Sequence, residues 1–102
     1  MYKVYSFMAI AMAMALLAGC GSVGKNFDSS NVKNVQNNVT TQAQIVEWFG
    51  EPYKKGQENG KTMWTYQYDT YSGGDSKSKD LVLLFDSAGT VIAYRYTSNM
   101  DD

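Results

Sequence analysis

The hydrophobic pattern divides the chain into an apolar run, a patternless stretch, two helical segments and a β-rich remainder. From Val4 to Leu17 nearly every residue is apolar, broken only by Ser6, and Lys3 is the one charge ahead of it. Gly21 to about Asp28 (GSVGKNFD) has no period, and its Gly and Ser content predicts a tether. Val32, Val35 and Val39 then recur at helical spacing. They predict a short helix through about Asn37, capped by Ser29, Ser30 or Asn31. The next segment, TTQAQIVEWFGEP, is better defined. Thr41 and Gln44 match a capping box, and Ala43, Ile45, Val46, Trp48 and Phe49 form an apolar stripe. Gly50 suits a helix terminus, and Pro52 forbids continuation.

Beyond Pro52 the period shortens to two. Asn59-Gly60 is a turn signal. Thr62 to Tyr71 alternates, with Trp64, Tyr66 and Tyr68 on one face and Thr65, Gln67 and Asp69 on the other. Ser72 to Asp80 (SGGDSKSKD) reads as a polar loop. Leu81 to Asp86 is a strand apolar on both faces, Ser87-Ala88-Gly89 turns the chain, and Thr90 to Ser98 is the last strand. Pairing Phe85 with Val91 sets Leu83 against Ala93 and Leu81 against Arg95. That register turns Leu81, Leu83, Phe85, Val91 and Ala93 towards the helices. It leaves Val82, Leu84, Ile92, Tyr94 and Tyr96 on a second face, unusually apolar for solvent. The expected class is α+β: two short N-terminal helices on a three-stranded antiparallel sheet, in the order ααβββ.

Composition narrows the function more than the fold. The chain has 102 residues, 9 basic and 10 acidic side chains, one cysteine and no histidine. This length fits one small domain. The near-neutral balance gives no electrostatic footprint for nucleic acid. Without histidine there is no Ser-His or Cys-His nucleophile pair and no histidine zinc site. A single cysteine makes no internal disulfide. Nothing in the sequence places two of Glu47, Glu51 and Glu58 together in a pocket, so they read as solvated surface carboxylates, and Asp75, Asp80 and Asp86 match no calcium loop. No residue is a credible catalyst, no metal ligand set is visible, and any mechanism is expected to be binding.

The apolar run explains the lone thiol. It is shorter than the ~20 residues that span a bilayer, and a short basic start with a small-residue exit describes an export signal. Leu17-Ala18-Gly19-Cys20 resembles a bacterial lipobox with cleavage before Cys20. The resemblance implies recognition through Leu17, Ala18 and Gly19, a diacylglycerol thioether on Cys20 and an acylated (palmitate-type) amino terminus, with no other cofactor. More than one acyl chain gives stable anchoring at about 0.8 kcal/mol per buried CH₂. Gly21 rather than Asp at the next position points, under enteric-type sorting, to the outer membrane. The expected organisation is a signal peptide at 1–19, lipidated Cys20 and a flexible tether at 20–29, a folded domain at 30–98 and a frayed tail at 99–102.

Within that domain, Val39-Thr40-Thr41, Ile45-Val46, Gly50-Glu51-Pro52, Trp64-Thr65-Tyr66, Phe85-Asp86, Gly89 and Val91 stand in an order and spacing that resembles the SmpA/OmlA (BamE-like) family of small outer-membrane lipoproteins. The resemblance covers roughly residues 30–97. It implies an ααβββ fold, attachment at the periplasmic face of the outer membrane and an accessory role in assembling β-barrel proteins. It also implies contact with other lipoproteins of that machinery and with anionic phospholipid. GSVGKNFDSS differs from the extended Tyr/Arg/Pro-containing segment of the principal members. The alternative is therefore a lipid-anchored binding module of another envelope machine, such as a secretion or surface apparatus, or an inhibitor-like binder.

The candidate contact residues are few. Trp64 and Tyr66 suit a core stripe better than a binding one. Tyr94 and Tyr96, with the 72–79 loop, are the expected partner surface. Lys77 and Lys79, with Lys54, Lys55 and Lys61, are the expected cations for anionic headgroups, against the alternative of ordinary solvated charge.

Overall fold

The computed structural model describes residues 21–100. The expected signal peptide, with Leu17, Ala18 and Gly19, and the expected lipidation site Cys20 lie outside the described residues, as do Asp101 and Asp102 of the expected tail. Strand β1 (Gly21–Gly24) leads into a 3₁₀ helix (Ser29–Asn34), and helix α1 (Gln42–Phe49) follows. Strands β2 (Lys54–Glu58), β3 (Lys61–Ser72), β4 (Asp75–Phe85) and β5 (Val91–Ser98) complete the chain. The class is α+β with an antiparallel sheet. The sheet has five strands rather than three, in the order β1-β3-β4-β5 with β2 also on β3.

Both extra strands use the same edge of β3. β2 pairs along Lys61–Thr65 and β1 along Tyr68–Tyr71. Between them the Lys25 N–H donates to the Gln67 carbonyl at 2.8 Å. β2 escapes the alternation test because KKGQE has no apolar face and is exposed throughout. β1 escapes it because four residues of GSVG are too few to show a period.

The segment expected as a tether is thus held down. Phe27 is 5% exposed and lies in the core. Gly24 has φ +84°, and a Cβ there would collide with the Gln67 carbonyl oxygen, so glycine lets β1 close onto β3. The polar loop expected at 72–80 is also absent. Gly73 and Gly74, both at positive φ, make a two-residue turn, and β4 starts at Asp75. Ser and Lys hid that strand, since its support comes from the β3 ladder rather than from its own pattern.

The first helix is shorter than expected and of 3₁₀ form. Asp28 caps it by accepting from the Ser30 N–H at 2.9 Å. Val35 is buried and Val32 packs on the core, but Val39, beyond a left-handed Asn38, is 61% exposed. Helix α1 has the expected capping box between Thr41 and Gln44. Thr40 and Thr41 also run beside the β4–β5 turn, where Val91 N–H donates to the Thr40 carbonyl at 2.8 Å.

The core lies between the helical segment and one face of the sheet. Phe27, Val35, Ile45 and Phe49 pack on Trp64, Tyr66, Leu81, Leu83, Phe85 and Val91. The C-terminal segment is anchored as far as Asn99, whose Oδ1 accepts from the Ser78 N–H at 2.6 Å. Removing Phe27 should leave a cavity and free β1. Phe27→Ala is expected to cost about 3–5 kcal/mol, read as a lower urea midpoint by tryptophan fluorescence. A loss below about 1 kcal/mol would mean that the N-terminal segment is not part of the cooperative unit.

Candidate functional site

A single β-bulge decides which side chains are offered to partners. Phe85 pairs with Val91 as expected, but Leu84 pairs with Ala93, Leu83 with Tyr94 and Leu81 with Tyr96. Ile92 is the extra residue. A one-residue insertion exchanges the two faces of everything beyond it. Ala93 therefore leaves the helix-facing side, and Tyr94 and Tyr96 share the side of Leu83 and Leu81. Tyr96 packs against the core, half-buried. Tyr94, on the edge strand, is 38% exposed. The expected Tyr94–Tyr96 surface thus keeps Tyr94 and loses most of Tyr96.

The lysines separate in the same way. Lys79 is buried at 5% exposure. Its Nζ donates to the Phe27 carbonyl at 2.6 Å and sits 4.8 Å from the Phe27 ring centroid. It pairs in register with Tyr68, on the helix-facing side, and holds down the N-terminal segment rather than meeting headgroups. Lys55 lies 3.3 Å from Glu51 and 5.0 Å from the Trp64 ring centroid. Lys77 is exposed opposite Thr70, whereas Lys61 is exposed at the other end of β3. Nine residues of strand separate those levels by ~30 Å. The lysines do not form one basic patch.

On the outer face, no described element covers the sheet. Met63, Leu84 and Ala93 stand in one cross-strand row, and Thr65, Val82 and Arg95 in the next. Val82 and Leu84 are half-buried by their neighbours alone, while Ala93 and Arg95 are exposed. A depression of about 160 Å³ lies there, lined by Glu58, Val82, Leu84, Ala93, Tyr94 and Arg95. Its chemistry is an apolar floor with an acid, a base and a phenol at the rim. Such a surface suits protein contact. Val82 and Leu84 were legible in the sequence, but Glu58 was not, because β2 was not.

The phenol buried under the sheet has a structural role. Tyr66 is 2% exposed, and its hydroxyl donates to the Gly50 carbonyl at 2.7 Å. Burial, and secondarily the Glu51 charge, hold that hydroxyl well above its ordinary pKa of 10.0. Among the described residues no group of three or more His, Cys, Asp or Glu is placed to hold a metal ion. No described helix is long and apolar enough to cross a membrane.

Tyr66 gives a pH prediction. Below pH ~10 the phenol is neutral in both folded and unfolded chains, so its full contribution is present. Above that, the unfolded chain ionises first and stability falls. Tyr66→Phe should cost about 1 kcal/mol at neutral pH and flatten the alkaline decline, measured by urea melts from pH 8 to 12. An unchanged alkaline slope would remove Tyr66 as its cause.

No curated protein matches the chain. Residues 24–95 match the family model described as the outer membrane protein assembly factor BamE domain.

Proposed function

The chain belongs to the outer membrane protein assembly factor BamE domain family, and from that premise we propose that it is a lipid-anchored accessory lipoprotein that supports β-barrel assembly by binding and stabilising a complex. The acyl chains on Cys20 hold it at the periplasmic face of the outer membrane. The lipobox Leu17-Ala18-Gly19-Cys20 supports that anchor, and the family supports the location. Its action is contact rather than catalysis.

The observation that carries the reading is the uncovered outer face. A small domain with a thin core leaves Met63, Val82, Leu84 and Ala93 without a covering layer and sets Tyr94 and Arg95 at the open edge. Aromatic and arginine residues around an apolar patch are the composition of interface hot spots. The proposed partner is a subunit of the barrel-assembly machinery. Lys77, exposed on β4, is the cation we assign to anionic phospholipid.

A crosslinked pull-down from detergent-solubilised envelopes, with partners identified by mass spectrometry, tests this. The wild-type chain should recover barrel-assembly subunits. Tyr94→Ala with Arg95→Ala should cut recovery ~10-fold, as the loss of about 1.4 kcal/mol implies, with little change in melting temperature because both residues are exposed. Undiminished recovery by the double variant would move the contact elsewhere. Recovery of a different envelope complex would replace the proposed partner.

A further inference from the structure

We propose that the hairpin end of the sheet, formed by Tyr71, the Gly73-Gly74 turn and Ser76, rests on the surface of the lipid bilayer that holds Cys20, so that the domain has a fixed orientation. The inference rests on the lipid-anchor reading above and adds the membrane-facing surface to it.

The argument starts from chain connectivity. β1 begins at Gly21, the residue after Cys20, and Gly21 pairs with Tyr71. Consecutive Cα atoms lie ~3.8 Å apart and cross-strand partners ~5 Å apart. The point at which the acylated residue joins the domain, Gly21, therefore lies beside Tyr71. A flexible tether would decouple anchor from domain, but β1 leaves no such slack. Its register runs from Gly21 to Gly24, Lys25 continues it to Gln67, and Phe27 is buried in the core. From Gly21 onward the chain is joined to the sheet, directly after the anchoring residue.

The side chains at that end suit a headgroup layer. Tyr71 is 45% exposed and Val23 44%, the two being diagonal neighbours on the outer face of β3 and β1. Tyrosine sits with its ring among apolar groups and its hydroxyl in water, which is the arrangement at a membrane interface. Exposed Lys77 offers a cation to lipid phosphate, one position along from the exposed Ser76. The other end of β3, at the Asn59-Gly60 turn, is ten residues away, or up to ~33 Å. Leu83, opposite both Trp64 and Tyr94, lies seven residues along from Tyr71, or up to ~23 Å. The partner face would thus stand clear of the bilayer.

The test uses the full acylated chain in vesicles of phosphatidylethanolamine and phosphatidylglycerol containing a headgroup spin-labelled lipid. Ser76→Cys and Ser87→Cys, both at exposed positions at opposite ends of the sheet, each carry a fluorophore. Mass spectrometry reads the acyl chains, and thermal melts confirm that both variants fold. Quenching several-fold stronger at position 76 than at position 87 is expected. Equal quenching, or stronger quenching at 87, on chains of the acylated mass overturns the orientation alone. Absence of the acyl mass overturns the anchor and the orientation together.

Discussion

Three aromatic rings from distant parts of the chain meet beneath the sheet. Phe27 comes from the N-terminal segment, Phe49 from the end of α1 and Tyr66 from the middle of β3. Their centroids lie 5.6 to 6.3 Å apart. Each pair gains by its tilted or edge-on approach beyond the area that it buries. The Tyr66 hydroxyl adds a bond to the carbonyl at the helix stop. An eight-residue helix is unstable alone and depends on such packing. The same cluster fixes the N-terminal segment, and hence β1, on the edge of β3.

Lys79 shows how tightly that corner is built. Burial of an ammonium is costly unless polar partners replace water. Here the Phe27 carbonyl and the face of the Phe27 ring both serve. One aromatic residue thus gives its ring to the core and its backbone oxygen to a buried cation. The arrangement ties β4 to a segment that otherwise shares no ladder with it.

The helical layer covers one side of the sheet and leaves the other open. On the covered side the Tyr66 hydroxyl and the Lys79 ammonium both donate to backbone carbonyls, a structural use. On the open side the apolar row from Met63 to Ala93 is shielded only by neighbouring strands.

Helix α1 and its stop, the Asn59-Gly60 turn, the face of Trp64 and Tyr66, and the open face of Val82 and Leu84 were all legible in the sequence. Each rests on neighbours within a few residues, where capping geometry, backbone conformation and period act directly. The tertiary structure decided what depends on partners far along the chain. Strands β1 and β2 and the first half of β4 have no amphipathic pattern, and exist because β3 offers them hydrogen bonds. The bulge at Ile92 reassigned Ala93, Tyr94 and Tyr96 to opposite faces, since side-chain direction in a strand alternates and one inserted residue inverts it. Lys79 reads as a surface charge in a polar run, and only the arrival of Phe27, 52 residues earlier in the chain, makes its place a buried one.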